Sequence, residues 1–162
     1  YSLAIIINEY IEKEKLPINC KIFGTDIDEF SLNNAINGVY SESDLHSVKF
    51  AIFKKYFQRS ENQYVIDPVI REMVSFSMDN LLNERTKSPV ESIFGGFDMV
   101  FCRNVLIYMN AETQSKVIKK LYRSMNENAF LVLGESEVIP HHFQTRINRE
   151  VNFCKIYKKS DQ

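Results

Sequence analysis

No apolar run in this sequence approaches the ~20 residues needed to cross a bilayer as a helix. Residues 5–7 and 130–133 form its strongest runs, and both are far too short. Membrane insertion is therefore not expected. The opening Tyr1-Ser2-Leu3-Ala4 has no basic stretch before it and does not read as a secretory signal. Excess charge is absent too: 20 Lys and Arg against 21 Asp and Glu leave a net −1. Nonspecific nucleic-acid binding needs a concentrated cationic face to neutralise phosphates, so no nucleic-acid partner is expected. Cysteine is scarce, and Cys20, Cys102 and Cys154 are spaced too widely for a metal knuckle and are odd in number. Each lies in a hydrophobic stretch, where cysteine acts as a small apolar filler. Reduced thiols in a cytoplasmic protein are the simplest expectation. His46, His141 and His142 lack a carboxylate or cysteine at ligand spacing, and no metal is expected.

What remains is enough to fold. The 162 residues, 44% hydrophobic and 25% charged, are sized for one domain with its own core. Leu3, Ile6, Ile7, Tyr10 and Ile11 follow helical spacing, with Pro17 expected to end that helix. Residues 20–25 (CKIFGT) predict a short buried strand ending at Asp26. A helix over 31–37 should stop at Gly38, a residue suited to a left-handed cap, and another short helix is expected over 48–57. Residues 64–66 and 73–78 are rich in β-branched or aromatic side chains, with Asp67-Pro68 as a break between them. Ser88-Pro89 sits in a polar stretch expected to be a surface loop.

Downstream, residues 97–102 (FDMVFC) predict a further buried strand. Asn110 can cap a helix through Ser124 with Val117, Ile118, Leu121 and Tyr122 as its apolar stripe. Residues 130–133 read as a strand running into Gly134, and 143–147 with 151–157 as an antiparallel hairpin. This order is α/β with a mostly parallel sheet, and a terminal antiparallel pair is the hallmark of the class I methyltransferase variant of the Rossmann fold.

Ligands of open α/β sheets bind beyond the carboxyl ends of the strands, so the residues there are the candidates. Asp26 can accept hydrogen bonds from both hydroxyls of a ribose, as in nicotinamide and S-adenosylmethionine enzymes; its alternative role is helix capping, for which Asp28 is better placed. Asp79-Asn80-Leu81 follows the next strand: an amide or carboxylate can read adenine's exocyclic amine, and Leu81 can cover its face, though Asp-Asn pairs are also ordinary turn residues. Arg103-Asn104 follows the FDMVFC strand, with Tyr108 just beyond. Gly134-Glu135-Ser136-Glu137 resembles a G-x-S-x-G nucleophile elbow only superficially. Val138 replaces the second glycine and no histidine–acid partnership is evident, which excludes a hydrolase. Gly134 instead lets the chain turn sharply.

Taken together, TDID (25–28), GVY (38–40), KKYF (54–57), VSFSMDNLL (74–82), FDMVFCRNVLIYM (97–109) and LGESE (133–137) resemble, in order and spacing, the CheR-type protein-glutamate O-methyltransferases. The resemblance covers residues 1–158, leaving 159–162 as a tail, and it implies a small β-subdomain at about 56–73. It implies S-adenosylmethionine as cofactor, S-adenosylhomocysteine as product, and glutamate side chains on the cytoplasmic domain of a chemoreceptor as substrate. By the family's motifs Asp26 would bind the ribose, Asn80 and Leu81 would flank the adenine, and Arg103 and Asn104 would line the cofactor cleft. Tyr108 is the candidate for positioning the substrate. A glutamate carboxylate, of ordinary pKa ~4.3, is already ionised at neutral pH and needs no base.

Two departures shape the expectation. The Gly-Glu-Glu-type segment that precedes Tyr-Ser in the family, with its strand, is not in this chain, nor is the family's helical N-terminal domain. This chain alone is therefore expected to be a poorly active piece of the catalytic domain, with a gap at the middle of its parallel sheet. The turn between Phe57 and Tyr64 (QRSENQ) is short and glycine-free, so docking of a receptor's C-terminal peptide there is not expected. A noncatalytic receptor-binding member of the family is the alternative function. A nicotinamide oxidoreductase comes a distant third, since CRNVLIY and the terminal hairpin do not fit it.

Overall fold

The computed structural model describes residues 1–83 and 95–160, so Ser88-Pro89 lies outside the described residues. The chain forms two compact units, Tyr1–Asp79 and Asn80–Gln162.

The first unit opens with helix α1, Ser2–Glu14. Its buried face is Ala4 and Ile5, whereas Ile6 and Tyr10 of the expected stripe are 65% and 59% exposed. The rotation has a polar cause. Asn8 and Glu9 turn toward the buried Tyr56, whose hydroxyl donates to Glu9 at 2.6 Å and accepts from Asn8 at 3.0 Å. Lys55 adds bonds of 2.6 Å to both Glu9 and Glu12. The helix closes at Lys15 in a left-handed conformation (φ 52), two residues before the proline expected to end it.

Strand β1 (Ile22–Asp26) leads to helix α2 (Glu29–Asn37), which Gly38 closes at φ 63. Strand β2 (Val39–Tyr40), helix α3 (Phe50–Tyr56), and strands β3 (Phe57–Ser60) and β4 (Gln63–Ile66) follow. These strands form a three-stranded antiparallel sheet in the order β2-β4-β3. Its third strand comes from Val39–Tyr40, upstream of the segment at about 56–73. Asp67-Pro68 is a helix start rather than a plain break: Asp67 caps Val69 at 2.9 Å, and Pro68 occupies the first turn of α4 (Pro68–Glu72), where its missing N–H costs nothing. Strand β5 (Val74–Met78) then pairs parallel with β1.

In the second unit, β6 (Phe97–Cys102) pairs parallel with β7 (Met125–Leu133) across helix α5 (Ala111–Ser124). Asn110 caps α5 by accepting from the Thr113 amide at 2.9 Å. The expected stripe of Val117, Ile118, Leu121 and Tyr122 is buried against Met125, Leu131 and Leu133. Each such side chain contributes about 1.5–3 kcal/mol by leaving water. Strand β8 (Ile147–Arg149) and strand β9 (Ile156–Lys159) close the sheet, with β9 antiparallel to both β7 and β8 in the order β6-β7-β9-β8. The hairpin strands are shorter and later than their alternation predicts, and Phe143 lies in a short 3-10 turn instead. Cys102 is buried, but Cys154 is exposed and fills no apolar space.

The architecture is mixed α/β, with parallel pairs and the antiparallel closure of a class I methyltransferase sheet. Among the described residues, β1 pairs only with β5 and β6 only with β7. No helix is long and apolar enough to cross a membrane among the described residues.

Candidate functional site

Parallel pairing brings the carboxyl ends of neighbouring strands level, and the polar residues gather there. In the first unit Asp26 is in register with Met78, and the Asp79 amide donates to the Asp26 carbonyl at 3.1 Å. The Asp26 side chain is exposed and accepts only the Asp28 amide, at 3.0 Å on Oδ1, among the described residues. Asp28 is the helix cap. Its Oδ2 accepts the Ser31 amide at 2.9 Å and the Ser31 hydroxyl at 2.6 Å, which holds its carboxyl below the usual range. Capping thus falls to Asp28 and leaves the Asp26 carboxylate out of the cap.

Asn80 and Leu81 begin the second unit. Asn80 Oδ1 accepts the Leu82 amide at 2.9 Å in a side-chain turn, and its carbonyl accepts Lys120 Nζ at 3.0 Å. Leu81 is half-buried against the core of this unit.

In the same unit Cys102 is in register with Leu133, and the chain turns after both. The first turn carries Arg103, Asn104 and Tyr108, all exposed, Tyr108 at 85%. Asn104 is left-handed (φ 60), a conformation asparagine tolerates better than most residues. The second turn, Gly134 to Glu137, packs so closely on the first that a Cβ at Gly134 would lie 2.9 Å from Asn104 Oδ1 and 2.8 Å from Glu137 Oε2. The two turns share Glu137. Its side chain is only 2% exposed, yet Oε1 accepts the amides of Val105 (2.8 Å) and Leu106 (2.9 Å), and Oε2 accepts Gly134 (2.6 Å). Burial alone would raise this carboxyl. The amides of Leu106, Val105, Gly134 and Asn104 together overcome that and hold it below its ordinary value. From the other side, Gln114 on α5 donates to the carbonyls of Leu106 and Met109, both at 3.0 Å.

Asp26, Asn80, Leu81, Arg103, Asn104 and Tyr108 lie at or beyond strand ends as the sequence predicts, but the sequence does not mark Glu137 or Gln114 as holding the turn after β6. A carboxylate in a small-residue turn directly after a buried strand is the one local signal of the first. Nothing local marks Gln114. An open depression of about 450 Å3 in the first unit, lined by Asn34, Asn37, Val39, Gln63 and Arg71, includes none of the expected site residues.

The model of the CheR methyltransferase, SAM-binding domain, matches residues 1–153. This chain belongs to the CheR methyltransferase family. It is 31% identical over 140 residues to the chemotaxis protein methyltransferase of Borreliella burgdorferi, covering 86% of this chain and 48% of that protein. It is 30% identical over 169 residues to chemotaxis protein methyltransferase 2 of Vibrio cholerae, covering 100% of this chain and 57% of that one. The chemotaxis protein methyltransferase of Salmonella typhimurium is 30% identical over 141 residues, covering 85% and 46%. The chain thus spans about half the length of these curated relatives. A solved O-methyltransferase family protein from Burkholderia thailandensis overlaps 58% of this chain and 38% of its own at 13% identity and a TM-score of 0.40, too slight a likeness to bear on the fold.

The cofactor of a CheR domain is S-adenosylmethionine, and two strand-end side chains carry polar groups that could hold it. Asp26 Oδ2 accepts no hydrogen bond among the described residues, so the carboxylate could accept from ribose hydroxyls. Asn80 holds its turn through Oδ1 alone, which leaves its amide nitrogen to donate.

Proposed function

We propose that the protein containing this chain transfers a methyl group from S-adenosylmethionine to glutamate side chains of a chemoreceptor's cytoplasmic domain. The observation that carries this reading is the CheR family match over residues 1–153, whose strand-end motifs include an exposed Asp26 relieved of helix capping by Asp28. When bound, S-adenosylmethionine supplies an electrophilic methyl on a sulfonium. Asp26 holds the ribose, Asn80 and Leu81 flank the adenine, and Arg103 and Asn104 line the cofactor cleft. Tyr108, 85% exposed on its turn, orients the incoming glutamate. No side chain needs to remove a proton, because the attacking carboxylate is already charged at neutral pH. Orientation and exclusion of water do the work, and for a well-placed pair they are worth about 7–11 kcal/mol. Docking of a receptor's tail peptide on the β3–β4 hairpin is not part of this reading, since a two-residue turn, Glu61-Asn62, joins those strands.

The test uses the natural full-length protein, a chemoreceptor cytoplasmic domain and methyl-labelled S-adenosylmethionine. The receptor should gain label that alkali releases as methanol, the mark of a carboxyl methyl ester, and Asp26→Ala should abolish it at low cofactor. Label that resists alkali would mean another acceptor. S-adenosylhomocysteine binding by wild type without any label would favour the receptor-binding, noncatalytic reading.

A further inference from the structure

Glu137 is a buried carboxylate that belongs to no expected cofactor contact. Its geometry is that of a clamp. One oxygen collects two successive amides of the turn after β6, and the other takes the Gly134 amide of the turn after β7. Lys155 Nζ donates to the Glu137 carbonyl at 2.5 Å, so β9's approach fixes the backbone that carries the carboxylate. Gln114 meanwhile takes the carbonyls of the same turn. Arg103, Asn104 and Tyr108 therefore project from a loop whose amides and carbonyls are both held by side chains, with Asn104 pinned at φ 60 against Gly134.

We propose that Glu137 is the positioning residue of this site: its carboxylate sets the conformation in which the 103–108 turn presents Arg103 and Asn104 to the cofactor and Tyr108 to the substrate. The inference rests on the methyltransferase reading for what the turn presents, and on the structure alone for the clamp. Glu137 touches no reacting atom. It acts through the backbone amides it holds, because a buried amide without an acceptor is costly and the turn rearranges when one is lost. Glutamine at 137 would keep an acceptor oxygen for Val105 and Leu106 but set an amide donor against the Gly134 N–H. Leucine would keep the bulk and remove every acceptor.

The experiment compares Glu137→Gln and Glu137→Leu with wild type in the natural full-length protein, and with Ile118→Val as a packing control in the same core. S-adenosylhomocysteine affinity is measured by calorimetry, and hydrogen exchange is read at the amides of Val105, Leu106 and Gly134. Affinity should fall about tenfold in Glu137→Gln and further in Glu137→Leu, in step with faster exchange at those three amides. Ile118→Val should lower thermal stability yet leave affinity within about twofold, since it removes a methyl and no acceptor. Glu137 variants that stay folded and keep wild-type affinity would overturn the proposal, as would unchanged exchange at Val105 and Leu106. If wild type itself binds no S-adenosylhomocysteine, the methyltransferase reading has failed instead. The exchange arm then still decides whether Glu137 sets the turn.

Discussion

Replacing Gly38 by alanine should destabilise the first unit by about 2–4 kcal/mol, and the two causes can be separated. Gly38 closes α2 at φ 63, and its carbonyl accepts the Ile66 amide at 3.0 Å. An alanine there adopts a left-handed conformation at a cost of about 1 kcal/mol. Its Cβ would also stand 2.6 Å from Ile66 Cγ2 and 3.6 Å from the Tyr1 ring. Ile66 is 2% exposed and has nowhere to retreat, so the overlap adds about 1–3 kcal/mol, the range for overpacked cores. Ile66→Ala alone should cost about 2–5 kcal/mol by opening a cavity. In that background Gly38→Ala should cost only the conformational term, about 1 kcal/mol, because the obstructing methyl is gone. The assay is urea unfolding of the four proteins of the cycle, followed by far-UV circular dichroism. A coupling energy of about 1–3 kcal/mol is expected. Costs that simply add, within about 0.5 kcal/mol, would refute the contact between α2's cap and Ile66.

Other predictions separate neighbouring residues by role. Asp28→Ala should lower stability by about 0.5–2 kcal/mol through the lost α2 cap while leaving cofactor affinity near wild type, and Asp26→Ala should do the reverse; thermal melts and calorimetry on both variants check this. Glu137 is held below its ordinary value, so its stabilising contribution is full above that value and is lost as pH falls through the folded one. The stability gap between wild type and Glu137→Gln should therefore be wide at pH 7 and shrink below about pH 4.5, as read from urea midpoints. Burial, with help from Glu137, pushes the Cys102 thiol up to about 12, whereas Cys154 is exposed. A thiol reagent at pH 8 should label Cys154 quickly and Cys102 only on unfolding, and equal labelling rates by peptide mass mapping would contradict the packing around β6.

Much of this protein is local enough to be written in one stretch of chain. The α5 stripe, the Asn110, Asp28 and Gly38 caps and the β6 strand all depend on side chains within four residues of the backbone they act on. Periodicity and capping report such features directly. The family motifs lie at strand ends for a related reason: a parallel strand must stop where its polar residues begin, so Asp26, Asn80 and Arg103-Asn104 stand out as candidates.

Tertiary structure decided what depends on partners far along the chain. Ile6 and Tyr10 satisfy a helical stripe, yet Tyr56 and Lys55, more than forty residues on, draw the polar side of α1 inward and leave those two exposed. Val39–Tyr40 is too short to read as a strand and becomes one only because β4 lies alongside to accept its pairing. Glu137 is the clearest instance. In the sequence it is one carboxylate in a polar turn, by composition a surface residue. Only when β6 and β7 lie parallel do four backbone amides converge on it, and a buried charge becomes stable where hydrogen bonds replace the water it has lost.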